Sequence, residues 1–146
     1  MNRLWTSSRV AAAASAVVAT VATLALSSPA QAAPTSWKVA NGAAAATGTL
    51  EYRSVTTGRY ADIVGGITVA ASDGQCYYLR YYVAADLLGS GFNSPRLCGA
   101  GALPVESHSF LPLFGTRGFR FGLCRVAPGT PEEASFADLG THCVRV

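Results

Sequence analysis

Lysine and methionine are almost absent from this chain: Lys38 is the single lysine beside ten arginines, and Met1 is the single methionine. Charge of either sign is scarce, at 13% of residues, so no polybasic surface is available to neutralise phosphates, and nucleic acid is excluded as a partner. No Cys-x-x-Cys pair supplies the close ligands of a zinc site, and no Gly-x-Ser-x-Gly elbow supplies a hydrolase nucleophile. Nowhere after residue 32 do apolar residues recur at helical spacing over the length of a helix, which excludes a helical bundle and a second membrane anchor.

The N-terminus, by contrast, is strongly patterned. Arg3 and Arg9 precede an uncharged apolar run from Val10 to Leu26; Ser27, Ser28 and Pro29 break it, and Ala30-Gln31-Ala32 offers small residues at the −3 and −1 subsites of a signal peptidase. Residues 1–32 are therefore expected to be a signal peptide, with Ala33 as the mature N-terminus and the product secreted, free of the membrane. Residues 33–47, rich in alanine and without a clear period, read as a flexible N-terminal arm. Residues 48–146 are the expected globular domain.

Four cysteines, Cys76, Cys98, Cys124 and Cys143, lie in the mature part, where an exported chain tends to pair its thiols. Three connectivities are open. The local one, Cys76 with Cys98 and Cys124 with Cys143, is expected, each loop contributing about 3 kcal/mol in the chain-entropy model. Strand alternation places Cys76 on the face of Arg80, Cys98 with Arg96, Cys124 with Arg120 and Cys143 with Arg145. Arginine rarely points into a dry core, so the cysteines belong to outer faces or strand ends.

Period-two alternation marks the strands. Ala61, Ile63, Ile67 and Val69 share one face, Tyr77, Leu79, Tyr81 and Val83 another, and Phe119, Phe121 and Leu123 a third, with Val144 and Val146 expected inward at the end. Gly65-Gly66 suggests a bulge or bend, and Asp73-Gly74 between two alternating runs has the chemistry of a type I′ hairpin turn. Short strands at such spacing point to an all-β chain: a two-layer antiparallel sandwich of six to eight strands, held by two disulfides, with a small barrel as the alternative.

The order Tyr60-Ala61-Asp62-Ile63, Asp73-Gly74-Gln75-Cys76 with Arg80, Arg96-Leu97-Cys98, Phe119 to Arg125 and a last Cys143 resembles small secreted actinobacterial proteins of immunoglobulin-like sandwich type, mostly uncharacterised. The resemblance spans roughly Gly48 to the end and implies the fold, not an activity. Motifs of subtilisin-inhibitor-like proteins, of proteins similar to neocarzinostatin and of small amylase inhibitors are missing.

Candidate chemistry is thin. Ser107-His108-Ser109 beside Glu106 holds nucleophile, base and carboxylate, but neighbours in a strand alternate faces and cannot converge on one proton. His142 beside Cys143 reads as a packing residue. Glu132-Glu133 reads as a pair of solvated loop acids rather than a glycosidase dyad, and Asp62, Asp73 and Asp86 match no calcium loop. The one surface with recognition chemistry is Tyr78, Arg80 and Tyr82, which alternation places opposite the core, where they would either stack a sugar ring or a protein partner or, as good strand residues, half-bury under a neighbouring loop or disulfide. The expected function is thus a non-enzymatic secreted binding domain without cofactor or metal, whose partner is an extracellular protein or cell-wall glycan. The alternative is an inhibitor of an extracellular hydrolase that presents the loop from Gly89 to Pro95.

Overall fold

The computed structural model describes residues 33–86, 89–134 and 137–146, so the expected signal peptide lies outside the described residues. None of these residues forms a helix long and apolar enough to cross a membrane. Among the described residues nine strands run as β1 (Thr35–Asn41), β2 (Ala44–Val55), β3 (Gly58–Val69), β4 (Cys76–Ala85), β5 (Ser90–Asn93), β6 (Leu97–Cys98), β7 (Gly101–Pro112), β8 (Thr116–Val126) and β9 (Cys143–Arg145). They form two antiparallel sheets: β1-β2-β3-β7, and β5-β4-β8-β9 with β6 also paired to β4.

The first sheet contains the segment expected as a flexible arm. Residues 35–47 are strand β1 and the start of β2, joined by a tight turn with Gly42 at φ 59°. Alanines concealed the alternation there, but Trp37, Val39, Ala44 and Ala46 all point inward and are buried. Trp37 anchors the strand. Its partner across the ladder is Gly48, which in turn faces Gly65 on β3. A Cβ at either glycine would come within 2.7 to 2.9 Å of the Trp37 ring. The expected bulge at Gly65-Gly66 is absent; β3 pairs without a register shift, and Gly65 provides the floor on which the indole lies.

Asp73-Gly74 does turn the chain, yet not as a hairpin. β3 belongs to the first sheet and β4 to the second, so the turn is an arch between layers. Asp73 stabilises it: Oδ1 accepts the Gln75 N–H at 3.1 Å, and Oδ2 accepts the Tyr77 hydroxyl at 2.5 Å. Such a side-chain-capped turn uses the same two residues as a I′ hairpin, which is why the dipeptide does not distinguish them.

Between the layers lie Trp37, Val39, Ile63, Ile67, Val69 and Val105 from the first sheet against Tyr77, Leu79, Tyr81, Phe121 and Leu123 from the second. The inward faces of β3, β4 and β8 are those the alternation indicated. Val144, on the short edge strand β9, and Val146, just beyond it, instead remain substantially exposed. An aromatic series crosses the core: Trp37 meets Phe121 edge-on at 5.2 Å, Phe121 stacks on Tyr81 at 6.4 Å, and Tyr81 on Phe92 at 4.9 Å. Within it the Tyr81 hydroxyl is buried with no hydrogen-bond partner among the described residues. Its desolvation pushes the phenol pKa up. Removing an unsatisfied hydroxyl removes a desolvation cost, so Tyr81→Phe should leave stability unchanged or raise it by up to about 1 kcal/mol. Urea unfolding checks this; a large loss would mean that the hydroxyl has a partner.

Candidate functional site

Both disulfides join directly opposed residues of neighbouring strands, Cys76 to Cys98 and Cys124 to Cys143, with no free cysteine among the described residues. They lie on the outer face of the second sheet, on the side of Arg80. That outer face is not open to solvent. The irregular segment between β8 and β9 folds back across it, and Tyr78 and Arg80 are both 0% exposed, while Tyr82 is half-buried. Of the two readings of Tyr78, Arg80 and Tyr82, the exposed recognition stripe is therefore corrected: Tyr78 and Arg80 are interior, and Tyr82 is half-buried.

The physical reason is the chemistry of arginine. An irregular segment leaves backbone carbonyls unpaired, and a guanidinium with five donors can satisfy several of them at once. Arg80 donates to Ala134 O at 2.9 Å, to Ala137 O at 2.5 Å and to Asn93 Oδ1 at 2.8 Å. Its Nε stands 2.9 Å from Glu133 Oε2 as an ion pair outside aligned hydrogen-bond geometry. Arg96 donates to the carbonyls of Thr130 and Pro131 at 2.5 and 3.2 Å and lies over the Tyr78 ring, and Arg120 pairs with Asp138. Three of the four arginines that mark the cysteine side of the strands, Arg80, Arg96 and Arg120, hold the covering segment, while Arg145 on β9 stays exposed.

Glu133 is thus no solvated acid: besides Arg80 it contacts His142 Nε2 at 3.2 Å, and the same nitrogen lies 3.2 Å from the Tyr78 hydroxyl. Burial raises the Tyr78 pKa, aided by the Glu133 charge. His142, Cys124 and Cys143 bring potential ligand atoms together, but both sulfurs are engaged in the disulfide and offer no thiolate.

Ser107, His108 and Ser109 separate as alternation requires. Both serines turn inward, buried, with their hydroxyls 3.4 Å apart. His108 faces outward, Nδ1 2.8 Å from Asp62 Oδ1 and Nε2 3.0 Å from Glu106 Oε1. Asp62, Asp73 and Asp86 do not converge on an ion; they pair separately with Arg53, Arg125 and Arg117. The loop from Gly89 to Pro95 is largely strand β5, paired along Arg80 to Val83 of β4.

Recognition chemistry is concentrated elsewhere, at an open edge of the sandwich. Strand β5 has only four residues and β7 is the last strand of its sheet, so among the described residues no strand closes the gap between them. A cleft of about 800 Å³ opens there, within the range of small-molecule sites. Three phenyl rings border it from three elements: Phe92 on β5, Phe110 on β7 and Phe114 in the β7–β8 turn. Phe92 is 40% exposed, its inner side stacked on Tyr81; Phe110 is 39% exposed and tilted against Tyr60; Phe114 is 90% exposed. Val83 and Ala85 add apolar wall, and the inward Ser109 occupies a position where a larger residue would fill the space. At the base Asp86 ties the turn down, its N–H donating to Gly115 O at 2.8 Å and its carboxylate pairing with Arg117 at 2.6 Å. His108 stands at the rim. The three phenylalanines fall in a loop expectation, a weak strand and a turn, so alternation alone did not gather them.

Compared with known proteins, the chain matches no family model, no curated protein and no solved structure.

Two consequences can be measured. Arg80→Lys keeps the charge but not the fork that reaches several acceptors; it should lower the unfolding free energy by about 3 kcal/mol and speed proteolysis within 127–142. Glu133→Gln, at a part-exposed site, should cost less. A stable, protease-resistant Arg80→Lys protein would show that the segment is held otherwise. At His108 only the imidazolium can donate to both carboxylates, so Asp62 first, then Glu106, hold its pKa above the ordinary value. A folded pKa above the unfolded one near 6.5 makes this stabilisation fully present below about pH 6.5 and lost as pH rises through the folded value. Titration of the His108 ring protons by NMR should show the raised value, and His108→Gln should flatten that part of the stability profile.

Proposed function

We propose that the mature chain is an exported, non-catalytic binding module that takes a small apolar, ring-bearing ligand into the cleft between β5 and β7. The observation that carries this reading is the convergence of Phe92, Phe110 and Phe114 from separate elements, each with ring surface still open, on one cavity of small-molecule size. Aromatic rings that are already positioned lose little side-chain entropy on binding, and offset or edge contacts with a ligand ring add to the burial of its surface.

Export is supported by the N-terminal pattern Arg3, Arg9, Val10 to Leu26 and Ala30-Gln31-Ala32, and by two disulfides, which persist in oxidising surroundings. A non-catalytic role is supported by the separation of Ser107 and Ser109 from His108 on opposite faces, and by the engagement of Glu133 with Arg80. Kinship with small secreted immunoglobulin-like sandwiches is supported by the two packed antiparallel layers. The consecutive neighbours β1-β2-β3 differ from the antibody constant-type order, so the likeness is one of architecture.

The test is fluorescence titration with the uncharged dye N-phenyl-1-naphthylamine. Wild type should bind and enhance its emission, and the double variant Phe92→Ser, Phe114→Ser should weaken binding roughly tenfold or more, since each ring contact contributes on the order of 1 kcal/mol. Circular dichroism should be unchanged for Phe114→Ser alone. Equal affinity in a folded double variant would remove the cleft as the binding site.

A further inference from the structure

The sandwich is also open at its opposite edge, and the chemistry there is different. Between β1 and β9 lies a second cleft of about 530 Å³. Trp37, Tyr52 and Phe119, from three strands and both sheets, give it an aromatic floor. Lys38, Arg120 and Arg145 stand on its two lips. The arrangement follows from alternation at an unclosed edge: inward positions supply the rings, and the outward positions next to them supply the cations. No aspartate or glutamate is among the described residues lining it, although the chain as a whole is nearly balanced in charge. Arg120 is paired with Asp138, but Lys38 and Arg145 are exposed and have no carboxylate partner among the described residues. A further guanidinium, Arg59, lies 4.5 Å from the Tyr52 ring centre. The single lysine of the chain is thus placed where two unpaired cations frame an apolar floor.

We propose that this edge is a second binding site, for an organic anion: a carboxylate, sulfonate or phosphate carried on an apolar body. The body lies on Trp37 and Phe119 and excludes water, and the anionic head is held between Lys38 and Arg145. The site is independent of the phenylalanine cleft, which has an apolar wall and no unpaired cation of this kind. A neutral ring compound and its anionic analogue therefore divide between the two edges.

The experiment uses two dyes that differ chiefly in charge, 8-anilinonaphthalene-1-sulfonate and the uncharged N-phenyl-1-naphthylamine, titrated at low and at physiological salt. The expected result is that the double variant Lys38→Gln, Arg145→Gln binds the sulfonate roughly fivefold to tenfold more weakly, the combined effect of two exposed charges. The difference should shrink as salt screens it. Binding of the uncharged dye should not change. Both substitutions are on exposed lip residues, so folding, followed by circular dichroism, should be retained. The double variant Phe92→Ser, Phe114→Ser should lose the uncharged dye yet keep the salt-dependent binding of the sulfonate. Unchanged sulfonate affinity in Lys38→Gln, Arg145→Gln overturns the proposal, as does equal weakening of both dyes. Loss of the sulfonate in the phenylalanine variant alone also overturns it, by placing the anion in the first cleft. Failure of the uncharged dye to bind wild type, with charge-dependent sulfonate binding intact, would remove the first cleft and leave this site standing.

Discussion

The Arg80 guanidinium is the group on which the outer half of the structure depends. It sits at the centre of β4, fully buried, on the face opposite the intersheet core, and it collects two carbonyls, an amide oxygen and a carboxylate from two separate segments. A buried charge is tolerable only when its partners are all in place. The segment that follows β8 must therefore return across the sheet, bringing Glu133 to His142 and Tyr78 and then leading into β9. The Cys124–Cys143 bond fixes the end of that excursion, and Arg96 and Arg120 fix points along it. One side of the second sheet thereby acquires a covering layer without regular secondary structure, satisfied by side chains rather than by a ladder.

Much of the intersheet core was legible in the sequence because it rests on period two alone. Ile63, Ile67, Tyr77, Leu79, Tyr81, Phe121 and Leu123 point where alternation directs them, and the local disulfide pairing is the expected one. The misreadings arise where one residue type serves two physical situations. Arginine opposite a core reads as solvent-facing, since the sequence does not announce that residues 130–134 and 137–142 will lie over it. Asp-Gly reads as a hairpin, although an arch between layers needs the same turn chemistry. Alanine blurs alternation in β1 and β2, and there the decisive signal was Trp37 set against two glycines that only the pairing brings together.

The candidate sites were hidden for a different reason. Strand parity sorts residues into two faces of a sheet, but a cleft at a sandwich edge is lined by both faces at once. Phe92 is an inward residue of its sheet and Phe110 an outward residue of the other, and they meet only because β5 and β7 are terminal strands. At the other edge Lys38 and Trp37, adjacent and of opposite parity, border the same space. Such sites depend on which strands end up unpaired, a property of strand order rather than of any local pattern.

This division has a functional consequence. The outer face of the second sheet is covered, and on the outer face of the first sheet Arg53 lies over Tyr60 while His108 is bound by Asp62 and Glu106, so much of its polar chemistry is internally engaged. Open edges are where a small sandwich retains concavity, and an unpaired edge is also a liability for strand-to-strand association. Here β7 carries Pro104 and Pro112, each without a backbone donor, and β5 is only four residues long. Both devices discourage another strand from extending the sheets while leaving the space between the edges accessible to a molecule too small to pair with them. The features that keep the edges from associating are thus compatible with the small-ligand sites proposed at them.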